Sequence, residues 1–299
     1  MKSKKLKVAV VMLVLAMPAY WWLLVESGSP QGSFSLDLTE LRTLANSVPG
    51  EKPELIRVEE VLEFEFPNTA IVAGAGWSFG KLPVFSYQLV FADRTIVVDT
   101  AMDEATSKGA SRYDPEAFAR VSAALEKASL ILVTHEHADH LGGWATHPRL
   151  SQLAPGITDE QLADPTKRAP LIIPEGALSN RKPFTYEHAT AVAPGVVLLR
   201  APGHTPGSQL IYVQRRDGEE FLLLGDVSWH QENYEQVRER ARLVTQFFLG
   251  EDREAVLRQL AAIKAVAAAE PRLHVMPGHD GNTMKRALEA GLMTPRFAP

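Results

Sequence analysis

The chain has 299 residues, a formal net charge of −5 and no cysteine. The acidic balance supplies no general attraction to nucleic acid, and the missing thiols exclude disulfides, thiolate metal ligands, a cysteine nucleophile and a lipid-bearing N-terminal Cys. Lys2, Lys4, Lys5 and Lys7 precede an apolar run from Val8 to Val25. Residues 1–26 therefore read as an export signal, either a cleaved signal peptide or a retained anchor. The run approaches the shortest length that spans a bilayer, and Trp21-Trp22 suit a membrane interface. The positive-inside rule then places the remainder across the membrane. A retained anchor would hold it at the periplasmic face of the inner membrane, and cleavage would free it into the periplasm or medium.

Residues 27–56 read as a tether with a short helix over Leu36–Ala45, and residues 57–299 as one catalytic domain. Strands are expected over Arg57–Phe66, Ala70–Ala73, Val84–Phe91 and Thr95–Asp99, and a helix over Pro115–Ala128 with Asp114 as N-cap. That helix leads into the apolar run Leu130–Val133 and then Thr134-His135-Glu136-His137-Ala138-Asp139-His140. Three imidazoles and a carboxylate so close together suit Zn²⁺ or a similar first-row divalent ion. Glu136 is expected to point away, because neighbours on an extended segment face opposite sides. His204, Asp226 and His279 each end an apolar, strand-like segment and each follow a glycine, Gly203, Gly225 or Gly278. Glycine there permits a tight backbone path up to a buried ion.

The other histidines, His147, His188, His230 and His274, read as structural or solvent-exposed. Gly142–Pro170 is polar and proline-rich, and is expected to act as a lid, with Trp144 among its apolar points. Tyr234–Phe248 reads as a helix carrying Arg238, Arg240 and Arg242 on solvated faces. Trp144, Trp229 and Tyr234 are the candidates for shaping a substrate pocket. Asp252–Ala269 reads as an amphipathic helix lying on a sheet and delivering the strand before His279.

From about Ile71 to His279, the ordered set His-x-His-x-Asp-His, His, Asp, His resembles the metallo-β-lactamase superfamily. The resemblance implies an α/β fold, a four-layer αββα sandwich, here with an N-terminal membrane segment, and two Zn²⁺, with iron or manganese as substitutes. It implies that His135, His137 and His204 hold the first ion, that Asp139, His140 and His279 hold the second, and that Asp226 bridges them. Asp99, closing an early strand, would orient a metal-bound imidazole. Asp139 would also be catalytic, orienting a hydroxide between the ions and passing a proton to the leaving group.

The implied activity is binuclear hydrolysis of a small-molecule ester, lactone or thioester. Acyl-homoserine lactonases resemble this ligand set closely but usually carry Tyr three residues after the bridging Asp, where this chain has Trp229. Glyoxalase II enzymes share the Gly203-His204-Thr205-Pro206-Gly207 type of turn but carry a helical C-terminal domain, and only about twenty residues follow His279. A β-lactamase, a phosphodiesterase, a mononuclear iron persulfide dioxygenase and a membrane-tethered metal-binding protein without activity stay open. Oligomeric state is not legible.

Overall fold

The computed structural model describes residues 14, 16–179 and 181–298. Two sheets lie face to face. The first has the order β11-β1-β2-β3-β5, with β4 pairing on β1, and the second the order β10-β9-β8-β7-β6. The strands are β1 (Leu55–Pro67), β2 (Phe79–Val90), β3 (Thr95–Val98), β4 (Arg112–Tyr113), β5 (Leu130–Leu132), β6 (Ala189–Ala193), β7 (Val196–Arg200), β8 (Gln209–Gln214), β9 (Glu220–Leu223), β10 (Leu273–Met276) and β11 (Thr294–Pro295).

Period-two alternation decides which side chains fill which layer. In β7, Val196 and Leu198 point between the sheets, where they meet Ile56, Leu89 and Val98. Val197 and Leu199 point outward. Residues 16–24 are helical (α1). The outward face of the second sheet is covered by α2 (Leu38–Ala45) and by α9 (Arg253–Ala269), through Leu38, Leu41, Val256 and Leu260. On the first sheet, α4 (Pro115–Lys127) and α5 (Ala138–Ala145) cover Val61, Leu62 and Val97. Helix, sheet, sheet, helix is the resulting order. Asp114 caps α4 by accepting from the Ala117 N–H at 2.9 Å, and Asp252 caps α9 by accepting from Ala255 at 3.0 Å.

Four expectations are corrected. Ala70–Ala73 is not a strand, since Asn68–Ile71 forms a helical turn, α3, that buries Ile71. The tether region contains α2, whose apolar face is part of the outer core, so it is a docked layer. The Gly142–Pro170 stretch is mostly packed structure: α5 continues to Ala145, and Leu150, Leu153 and Ile157 are buried, with α6 (Asp159–Ala163) following. Tyr234–Phe248 is not one helix. It begins inside α7 (Gln231–Gln236), breaks at Val237 in the left-handed region (φ 52°), and resumes as α8 (Arg242–Val244) and a π-turn over Thr245–Leu249. The break turns Arg240 inward, where it is 1% exposed.

The first part of the expected membrane run, Val8 to Leu13, lies outside the described residues, as does Leu15. Among the described residues, no helix is long and apolar enough to cross a membrane. The chain closes with α10 (Gly281–Glu289), which tucks Met284 and Ala287 against the inter-sheet core.

Candidate metal centre

Strands β3 and β5 run parallel, as do β9 and β10, and β7 runs with β9 because both are antiparallel to β8. Their C-terminal ends therefore open onto one edge of the sandwich. Asp99 follows β3, the His135–His140 loop follows β5, and His204, Asp226 and His279 follow β7, β9 and β10. Gly225 is left-handed (φ 49°), and a Cβ on it would stand 2.5 Å from the Thr134 Cβ. Only glycine fits that approach.

The seven candidate donors meet there in three overlapping groups: His135, His137, His204 and Asp226; His135, Asp139 and His140; and His140, Asp226 and His279. Within each group the donor atoms lie within 4.8 Å of one another. Asp226 stands between two sets. Its Oδ2 is 3.2 Å from His204 Nε2 and 3.7 Å from His135 Nε2. Its Oδ1 is 2.9 Å from His279 Nε2 and 3.2 Å from His140 Nε2. Asp139 Oδ2 is 3.6 Å from His140 Nε2 and 3.7 Å from His279 Nε2.

An outer ring of partners aims these donors. Asp99 accepts from the Thr134 N–H at 2.7 Å and lies 2.9 Å from His140 Nδ1. Its own backbone is left-handed (φ 55°), a conformation tolerated best by Asn and Asp among side-chain-bearing residues. His204 Nδ1 lies 2.6 Å from Glu251 Oε1, and His279 Nδ1 lies 2.9 Å from the Pro83 carbonyl. With Nδ1 engaged outward in each case, Nε2 is presented to the centre.

The residues fit divalent cations. His135 Nε2 and Asp226 Oδ1 are buried without a hydrogen-bond partner among the described residues, and His137 Nδ1 and His204 Nε2 face each other at 2.9 Å. Buried polar atoms left open in this way are costly unless something binds them. The field agrees. Burial opposes charge on Asp226, yet His279 and the other imidazoles hold its carboxyl well below the usual range. Burial holds His135 and His137 well below the usual histidine value, which favours the neutral, ligating form. For His140, burial is outweighed by Asp99, Asp139 and Asp226, which raise it.

The sequence did not single out Glu251, and it read Arg240 as solvated and Trp229 only as a pocket wall. Glu251 ends the loop before α9 and was hidden because nothing local marks it. Arg240 is ion-paired to it at 2.7 Å, and its guanidinium lies 4.8 Å from the Trp229 ring centroid. Trp229 Nε1 donates to Asp226 Oδ2 at 2.7 Å. A buried circuit thus links the shared carboxylate to His204 through Trp229, Arg240 and Glu251. Glu136 faces away as expected, and it accepts from Thr205 Oγ1 (2.6 Å) and the Gly207 N–H (3.1 Å), clamping the loop that carries His204.

The donors form the floor of a cleft of about 390 Å³ lined by Phe64, Phe66, Leu82, Met102, Trp229 and Phe248 as well as Asp139 and His279. Of the three pocket candidates only Trp229 reaches it. Trp144 is fully buried beneath the first sheet, because Gly142 and Gly143 let α5 press against the Thr100–Met102 backbone and carry the indole into the core. Tyr234 packs in the outer layer with α9. Thr166, Lys167, Ala169 and Pro170 supply one wall, and Lys167 Nζ donates to the Leu249 carbonyl at 2.8 Å, clasping that wall to the opposite one. His147, His188, His230 and His274 stay outside the centre; His274, for instance, pairs with Glu219 at 2.6 Å. A larger neighbouring groove of about 820 Å³ contains none of the seven donors.

A sequence profile described as the metallo-beta-lactamase superfamily matches residues 79–279. The chain belongs to that superfamily. It is a metal-dependent hydrolase of that fold. An N-acyl homoserine lactonase from Bacillus sp is 27% identical over 217 residues, covering 67% of this chain and 82% of the relative. One from Bacillus cereus is 28% identical over 219 residues, with the same coverage of each chain. Among solved structures, a quorum-quenching N-acyl homoserine lactone hydrolase superposes with a TM-score of 0.64 at 22% identity, covering 80% of this chain and 97% of the other. The dizinc quorum-quenching lactonase AidC gives 0.52 at 14% identity, covering 80% and 92%. At those identities the structures testify to the fold.

Proposed function

We infer that this chain opens the lactone ring of an N-acyl homoserine lactone or a closely similar acyl ester, using two divalent cations. The observation that carries the reading is the placement of Asp226, with one carboxylate oxygen toward His135 and His204 and the other toward His140 and His279. His135, His137 and His204 would hold one cation, Asp139, His140 and His279 the other, and Asp226 both. Zinc is the first choice for imidazole and carboxylate donors, with iron or manganese as substitutes. Bound there, the pair would supply Lewis acidity, lowering the pKa of water toward neutrality and polarising the ester carbonyl.

The chain's own groups do the rest. Asp139 is the least buried of the donor carboxylates, with a fifth of its side chain exposed toward the cleft. It is placed to hold a proton and deliver it to the departing alkoxide. Phe64, Phe66, Leu82 and Phe248 offer an apolar bed for an acyl chain and exclude water from it. Trp229 closes the cleft beside His279, with its N–H already committed to Asp226, so it does not take the carbonyl-assisting role of the lactonase Tyr.

The Lys-flanked N-terminal run supports export, with the catalytic domain on the periplasmic face of the membrane or, after cleavage, beyond it. The functional test is metal content per chain of the purified full-length protein, with a panel of lactones, esters, thioesters, phosphodiesters and β-lactams assayed on the same sample. Two zinc equivalents with lactone turnover support the reading. One iron with persulfide oxidation, or metal without turnover on any substrate, overturns it.

A further inference from the structure

Aromatic side chains that this chain leaves in water gather at the mouth of the cleft. Phe66 is 42% exposed and Phe248 is 77% exposed, and both line the cleft that ends on Asp139 and His279. Phe247, beside Phe248, is also exposed, and so is Phe79, which pairs with Pro67 next to Phe66. The mouth continues onto α1. Trp22 lies beneath the Arg242 guanidinium, 4.6 Å from the ring centroid, and Arg242 opens the segment that carries Phe247 and Phe248. Tyr20 and Trp77 lie with ring centroids 6.4 Å apart, the indole N–H donating to the phenol oxygen at 3.1 Å.

Helix α1 is fastened to the domain. The Leu24 carbonyl accepts from Thr69 Oγ1 and from the Gly74 N–H, the Val25 carbonyl accepts from Arg238, and Glu26 pairs with Arg242. Exposed aromatic side chains gathered in this way mark a place of interaction.

The sequence before α1 says what covers it. Residues 8–15 are apolar and follow four lysines, so the chain that enters α1 has the composition of a membrane-seeking segment. Tyr and Trp rings with a polar end are the side chains that settle at the boundary between headgroups and acyl chains. We propose that the aromatic rim of the cleft rests on the bilayer reached by the N-terminal segment, and that the site takes an acyl-chain amphiphile laterally from the lipid. The proposal rests on the export reading above and deepens it: the favoured substrate is one whose acyl chain partitions into membranes.

The native chain has no cysteine, so single labels are clean. Full-length Phe79→Cys and Phe247→Cys variants, each carrying an environment-sensitive fluorophore, are reconstituted into phosphatidylethanolamine and phosphatidylglycerol vesicles containing spin-labelled lipid. Arg216→Cys, in the β8–β9 turn at the end of the sheet remote from the cleft, is the control. Quenching at positions 79 and 247 but not at 216 is the expected result. Vesicle flotation without quenching at 79 and 247 overturns the docking while leaving the anchor intact. Shielding of those labels in detergent that grows with protein concentration points instead to a second copy and overturns it as well. Failure to float overturns both anchor and docking.

A kinetic arm separates the substrate reading. Trp77→Asp with Phe247→Asp should lower kcat/KM for a dodecanoyl lactone in vesicles at least tenfold and leave a butanoyl lactone unchanged. Equal loss on both substrates, or no loss on either, overturns lateral entry. A parent protein inert toward both lactones sinks the lactonase reading regardless of the quenching data.

Discussion

Replacing Trp229 with Phe separates a residue that merely walls the cleft from one that holds the metal centre. The indole N–H donates to Asp226 Oδ2 at 2.7 Å, and both groups are buried. Phenylalanine keeps an aromatic face for the Arg240 guanidinium and most of the volume, so the principal loss is one hydrogen bond to a charged acceptor. Such a bond contributes about 1.5–3 kcal/mol. Because Asp226 is shared by both donor sets, the loss should appear as weaker cation binding, roughly 10- to 150-fold at about 1.4 kcal/mol per decade. The assay is competition against a chromophoric zinc chelator, followed by kinetics at saturating zinc, where kcat should recover most of its value. Unchanged zinc affinity with a raised KM would refute the reasoning and reduce Trp229 to a cleft wall.

His137→Ala should bind one cation fewer per chain and lose hydrolysis, whereas Asp226→Ala should weaken both sites; elemental analysis after gel filtration distinguishes them. Gly225→Ala combines a left-handed backbone with a Cβ 2.5 Å from Thr134, so it should destabilise by about 2–5 kcal/mol from the sum of αL strain and overpacking, read as a lowered denaturant midpoint. Away from the centre, burial pushes the Glu220 carboxyl up, but Arg42, bonding at 2.8 and 2.7 Å, and the Tyr212 hydroxyl at 2.6 Å outweigh it and hold the pKa below the ordinary 4.5. The unfolded chain then takes the proton first, so this group's stabilisation is complete above pH 4.5 and fades as pH falls through the folded value. Tm should accordingly drop more steeply with acid in the parent than in Glu220→Gln, and parallel curves would contradict the assignment.

The chain's primary order determined the candidate donor set. Each donor follows an apolar segment directly, and strand alternation and the loop residues after it are local properties that periodicity and glycine placement reveal. The same holds for α4 and α9, whose apolar spacing and Asp caps lie within one stretch of chain. The tertiary structure alone decided what supports those donors. Glu251 and Arg240 look like ordinary surface charges until the break at Val237 turns one inward and the fold sets the other 2.6 Å from His204 Nδ1. Likewise, Trp144 and Trp229 are alike as residue types, and one is core and the other cleft because two glycines let α5 sink against β3's continuation. The physical reason is range: ligand order and helix caps are set by neighbours along the chain, whereas burial and second partners depend on segments tens to hundreds of residues away meeting in space.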